Sequence, residues 1–133
     1  MEIRVDVSDL VDLIERLDRL PEELSDAIEE EMNSLLLSWE RDAVFTAPED
    51  TGNLRRSYRI HPAEKEAGGW AIAISNNADY AAHVEYGHRV KVHGQWTGGF
   101  VPGRYTLTRS TERASDALPK RIRRAVDKVG GKG

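Results

Sequence analysis

The sequence contains no cysteine. A disulfide framework, a Cys-ligated zinc site and a cysteine nucleophile are therefore excluded, and a reducing compartment suits such a chain. Long apolar runs are missing too. No stretch approaches the roughly 20 residues that span a bilayer. The start, Met1-Glu2-Ile3-Arg4, soon turns acidic, unlike the basic start of a secretion signal. A soluble chain made in the cytoplasm is expected, with no membrane partner. Charge of one sign is not in large excess: the net value is −4, which by itself points to no partner. Signature motifs of catalysis are absent as well. There is no HExxH, and no spacing argues for a Ser–His–Asp set or for paired catalytic carboxylates.

What is present fits one domain. The chain has 133 residues, 39% hydrophobic and 32% charged, a length that builds its own core and a composition unlike that of a disordered chain. We expect a single domain over 1–129 and a flexible tail at 130–133, where Gly130-Gly131-Lys132-Gly133 ends the sequence. The charges are divided unevenly. Residues 1–50 hold 16 acidic and 4 basic side chains, a balance of −12, and residues 51–133 hold 15 basic and 7 acidic, a balance of +8.

The hydrophobic pattern predicts an α+β fold: two N-terminal helices, one of them long, a small mainly antiparallel sheet, and a C-terminal helix packed on it. Ile3, Val5 and Val7 alternate with polar residues as in a short strand. Ser8 is placed to cap a helix carrying Leu10, Leu13, Ile14, Leu17 and Leu20, and Pro21 stops it. From Glu22 to about Thr46, Leu24, Ile28, Met32, Leu35, Trp39 and Ala43 form one apolar stripe. Leu36, Leu37 and Val44 lie off it and are free for a second element or another subunit. Pro48 ends the helix.

A turn follows at Pro48-Glu49-Asp50-Thr51-Gly52-Asn53, with Asp50 or Thr51 placed to cap a short helical turn anchored by Leu54. Tyr58 and Ile60, then Trp70, Ile72 and Ile74, alternate as two strands of an antiparallel hairpin. Residues 79–87 read as a helical turn running into extended chain, with Gly87 suited to a positive φ. Val90 and Val92 suggest a further short strand. Residues 94–103, rich in glycine and holding Trp96 and Phe100, read as a loop. The last helix runs from about Tyr105 to near Val129 on Leu107, Ala114, Leu118 and Ile122, with a kink or break at Pro119.

Three sets of residues invite chemistry. His83, His88 and His93 are five apart, which suits neither one helix face nor one strand face, so a His/Glu metal enzyme is a weak reading. Gly98-Gly99-Phe100-Val101-Pro102-Gly103-Arg104 lacks the lysine and the hydroxyl of a phosphate loop, and no nucleotide cofactor is expected. The terminal helix region carries Arg104, Arg109, Arg113, Lys120, Arg121, Arg123, Arg124 and Lys128 against Glu112, Asp116 and Asp127. A small nucleic-acid-binding protein using this helix is the rival function. Pairing of the basic helix with the acidic first half, within the chain or between copies, is the favoured explanation.

Ala47-Pro48-Glu49-Asp50-Thr51-Gly52-Asn53-Leu54-Arg55-Arg56-Ser57 follows the long helix. Asn77-Ala78-Asp79-Tyr80-Ala81-Ala82-His83-Val84-Glu85-Tyr86-Gly87-His88 comes some 25 residues later. The pair resembles the tail-completion or head–tail joining family of long-tailed phages and prophages. Gly99-Phe100-Val101-Pro102-Gly103-Arg104-Tyr105-Thr106-Leu107-Thr108 is similar to a segment before the final helix in one branch of that family. His88 stands where many relatives carry Ser or Thr. The resemblance implies a structural virion protein with no enzymatic role and no cofactor or metal, located in the tail or neck. It implies a ring, commonly hexameric, at the head-proximal end of the tail. The implied partners are other copies of itself, the tail terminator or tail tube, and the head connector, with DNA at most passing through the channel. On this reading Trp96, Phe100, Arg104, Tyr80, Glu85 and Tyr86 are candidate assembly residues. Pro48, Asp50, Thr51, Gly52, Leu54 and Gly87 are candidate structural residues.

Overall fold

The computed structural model describes residues 1–6, 22–48, 52–66 and 69–130. The expected first helix, with Ser8, its leucine stripe and Pro21, lies outside the described residues, as do Asp50, Thr51 and residues 131–133. Four helices and five strands occur among the described residues. In chain order they are β1 (Glu2–Asp6), α1 (Glu22–Thr46), α2 (Asn53–Arg56), β2 (Tyr58–Glu66), β3 (Gly69–Asn76), α3 (Ala81–Tyr86), β4 (Gly87–Val92), β5 (Gln95–Pro102) and α4 (Thr106–Gly130). The class is α+β, as the sequence predicts.

The long helix α1 has the bounds expected of it. Its stripe of Leu24, Ile28, Met32, Leu35, Trp39 and Ala43 is buried, and Leu36 joins it. Val44 is half-buried, whereas Leu37 is 52% exposed. Glu22 and Glu23 occupy the first turn, where negative charge suits the helix dipole. At the other end the side chain of Arg55 donates from Nε and Nη2 to the carbonyl of Ala47, at 3.2 and 3.0 Å, and from Nη2 to that of Phe45 at 3.3 Å. The short turn α2 thereby satisfies carbonyls left unpaired at the C-terminal end of α1.

Three strands form an antiparallel sheet in the order β1-β3-β2. On one face Ile74 lies between Ile3 and Ile60, and Ile72 beside Val5. This face joins α1 in the core. On the opposite face Ala71 and Ala73 lie beneath the longer Glu2, Arg4, His61 and Glu64, which line a shallow trough over them. Alanine is buried there because its neighbours reach across it. Pro62 sits at a register shift between His61 and Glu64. An edge strand with a bulge tolerates a residue that has no N–H to donate. The Ala63 N–H freed by the irregularity donates to Asn33 Oδ1 of α1 at 2.7 Å.

The C-terminal helix departs from expectation in two ways. It is one uninterrupted helix through Pro119. Pro119 is on the solvent side, while Leu118 and Ile122 on the inner side are buried, so packing on both sides of the proline keeps the two halves in line. It also packs mainly on α1 and only slightly on the sheet. Arg113 pairs with Asp42, Arg121 with Glu31, and Lys128 with Glu30 and Glu31. Ascending numbers on α4 meet descending numbers on α1, so the two helices run antiparallel.

The larger correction concerns residues 94–103. They are not a loop. Gln95–Pro102 is a strand, β5, paired antiparallel with β4 from Gly87↔Pro102 to Val92↔Gln95. His93 and Gly94 alone make the turn, with φ of 51° and 77°, as a two-residue hairpin turn of the primed type requires. This second sheet is separate from the first.

Candidate assembly site

The three motifs meet at one place. Asn76, buried at the end of β3, donates from Nδ2 to the Leu54 carbonyl at 2.8 Å and accepts from the Ala78 N–H at 2.9 Å. It ties the turn after α1 to the segment leading into α3. Leu54 itself is buried, as expected of an anchor. Gly52 takes the position before α2 with φ 69°, in the left-handed region that favours glycine.

The second and third motifs interlock more tightly. Glu85 is buried at the end of α3. Its Oε1 accepts from the Leu107 N–H at 2.9 Å, and its Oε2 accepts from the Thr108 N–H and hydroxyl at 2.7 and 2.6 Å. These are first-turn donors of α4, which have no partner inside the helix, and a carboxylate there also suits the helix dipole. Glu85 is thus a remote N-cap, placed 22 residues before the first group it caps. The backbone continues the lock: Arg104 N–H donates to the Val84 carbonyl at 2.8 Å and Tyr105 N–H to the Glu85 carbonyl at 3.1 Å. Tyr105 has φ 53°, an uncommon conformation for a bulky residue that this bonding holds in place.

Two glycines make the close approach possible. Gly87 has φ 86°, as its position in the sequence suggests, and a Cβ there would lie 2.5 Å from the Val101 carbonyl oxygen and 2.7 Å from Phe100. A Cβ on Gly103 would collide with the Glu85 carbonyl and the Tyr86–Gly87 peptide. Tyr58 is buried near Glu85. Burial, and secondarily the nearby Glu85 charge, push its hydroxyl pKa up to about 12, because both oppose a phenolate.

Pro48, Tyr80, His83, Val84, His88, Val101, Pro102 and Arg104 line an open cleft of about 340 Å³ between these segments. The imidazoles of His83 and His88 stack 5.0 Å apart. Among the described residues no three His, Asp or Glu side chains gather as metal ligands. No helix among them is long and apolar enough to cross a membrane.

From this knot the β4–β5 hairpin projects. Trp96 is 53% and Phe100 59% exposed, and Val92 and Val101 are exposed as well. Arg89 lies 4.0 Å and Lys91 4.6 Å from the centre of the Trp96 ring, a cation–π arrangement that holds both charges beside the aromatic.

The six candidate assembly residues therefore divide. Trp96, Phe100 and Tyr86 are exposed, Tyr86 lying edge-on to Tyr105 at 6.2 Å. Arg104 is exposed and Tyr80 half-buried, both on the cleft. Glu85 is turned inward onto α4. Sequence reasoning missed that capping role, and it missed Asn76 and Arg55 as ties between segments. A buried carboxylate two residues before a glycine carries no local signal for a partner 22 residues away. The hairpin did leave one: Val92-His93-Gly94-Gln95 is a two-residue turn ending in glycine between extended runs.

A family model for the HK97-gp10-like tail components of bacteriophages matches residues 12–87. The chain belongs to this family. It is accordingly a structural tail component of a phage or prophage. No match to the chain was found among curated proteins or among solved structures. The family match ends at Gly87, where the hairpin begins, so it takes in the long helix, the three-stranded sheet from β2 onward and α3. Outside it, the basic charge of α4 is partly used within the chain, since Arg113, Arg121 and Lys128 all meet carboxylates of α1.

Proposed function

We propose that this tail component is a tail-completion or head–tail joining protein that closes into a ring of identical copies at the head-proximal end of the tail. It acts there as one domain over 1–129, without catalysis. Trp96, Phe100 and Tyr86 are its contact residues, and Arg104 and Tyr80 line the adjoining cleft. The observation that carries the reading is the β4–β5 hairpin. A two-stranded hairpin alone is marginal in water, yet this one holds exposed aromatic and aliphatic side chains away from the core. Exposed apolar side chains grouped on one projecting element mark an interaction surface.

The partners are further copies of the chain, then the tail terminator or tube on one side and the head connector on the other. Negative-stain microscopy and sedimentation at high protein concentration, with and without purified tails, test the proposal. A closed assembly, alone or on the tail end, is expected. A strictly monomeric protein that joins neither tails nor connectors contradicts it.

A further inference from the structure

The charge division of the sequence gains a location in the structure. Over Gly87–Pro102 the hairpin has Arg89 and Lys91, with His88 and His93, and no acidic residue. The first ten residues of α1 hold six carboxylates and no cation. Of these, Glu30 and Glu31 are met by α4. Glu23 and Asp26 are exposed, and among the described residues no ion pair reaches them. At 100° per residue Glu23, Asp26, Glu30 and Leu37 share one narrow arc of the helix, and all four are exposed on it. Further along the same helix Phe45 is 80% exposed. One surface is cationic and aromatic, the other anionic and apolar. Both belong to the same chain.

Resting on the ring reading, we infer that the β4–β5 hairpin of one copy docks on the outer arc of α1 of the next copy. Arg89 and Lys91 meet Glu23 and Asp26, and Trp96 and Phe100, which face these cations across the hairpin, pack on the same stretch of the helix. Arg89 and Lys91 stand about 7 Å apart along the strand and Glu23 and Asp26 about 4.5 Å apart along the helix, a difference that long side chains take up. The cations are fixed in advance. Arg89 and Lys91 already rest on Trp96, so little side-chain freedom is lost on docking. Such a contact joins two different surfaces, so its repetition generates a ring when the rotation closes.

The absence of native cysteine permits a direct test. One preparation carries Lys91→Cys and another Asp26→Cys; a third carries Glu64→Cys on the far face of the sheet as a control. The Lys91→Cys protein is mixed with each of the others at concentrations or on tails where wild type assembles, oxidised mildly, and separated on a non-reducing gel. The disulfide-linked heterodimer of the Lys91→Cys and Asp26→Cys proteins is expected to form at least about tenfold faster than the one with the Glu64→Cys protein, reflecting the local concentration within a specific contact. Equal rates overturn the inference. If wild type forms closed rings and the Lys91→Cys and Asp26→Cys proteins still fail to link preferentially, the docking surface is wrong while the ring reading stands. If they link but only open chains form, the docking holds and closure falls. As a second arm, Arg89→Glu with Lys91→Glu should abolish assembly, and adding Glu23→Lys with Asp26→Lys should restore it. Failure of restoration in folded protein counts against the pairing. Salt-sensitive duplex binding by wild type that the hairpin reversal removes would assign the surface to nucleic acid instead.

Discussion

The helix-and-sheet body and the β4–β5 hairpin are built on opposite terms. In the body, β3 is buried on both faces and α1 and α4 cover one another along most of their length. Its buried polar residues are bonded, Glu85 to α4, Asn76 to two segments and Glu31 to Arg121, while the buried indole N–H of Trp39 has no hydrogen-bond partner among the described residues. In the hairpin every residue of β5 is exposed, and the main contacts are cross-strand pairing and cations on Trp96. The body is a solution to folding. The hairpin is stabilised little by its own burial, so its apolar side chains make sense as contacts for something else. The knot of Glu85, Gly87 and Gly103 is the joint between the two, and it belongs energetically to the body.

The contrast is open to attack from several sides. The largest effect is expected at the joint. Gly103→Ala places a methyl against the Glu85 carbonyl, and the backbone must separate to admit it, which should cost about 3 kcal/mol or more of stability in a urea titration. A loss under about 0.5 kcal/mol would mean that the interlock is loose. Next, Glu85→Gln keeps the shape but removes the charge that three donors of α4 meet. About 2 kcal/mol should be lost, with reduced helicity by circular dichroism.

A smaller and conditional effect concerns Tyr58. Its pKa is raised from an ordinary value of 10.0 to about 12. The unfolded chain therefore releases this proton before the folded one does. The stabilisation is fully present below pH 10 and is lost as pH rises through about 12. Tyr58→Phe should flatten this part of the pH–stability profile, and an unchanged profile would remove Tyr58 from the account. Weaker still, Arg113→Ala breaks a half-exposed pair with Asp42 and should cost no more than about 1 kcal/mol.

Much of the body was legible because its signals are local and periodic. The steps of four and three from Leu24 to Ala43 define α1, and alternation around Ile72 and Ile74 defines β3. The hairpin left only the signal of its turn, and its second strand was harder to read for physical reasons. Gly94, Gly98, Gly99 and Pro102 lower strand propensity, and His93 is an unusual partner for glycine in a primed turn. Pro119 misled in the opposite direction, since packing of Leu118 and Ile122 on α1 overrides the break it invites. At the candidate site, the sequence marked Gly87, Leu54, Trp96 and Phe100. It did not reveal that Glu85 faces inward, because that depends on a contact between segments distant in the chain. The sign division near residue 50 was visible, and the structure shows that part of it is used between α1 and α4 and part remains exposed.

The central claim is that the body folds without help from the hairpin, and that the hairpin exists for contacts between molecules. The double substitution Trp96→Ala with Phe100→Ala tests it most directly, read by thermal unfolding alongside attachment of heads to tails in a complementation assay. The account predicts a stability within about 1 kcal/mol of wild type together with loss of head–tail joining. Normal joining by the folded variant, or collapse of the fold itself, would contradict it.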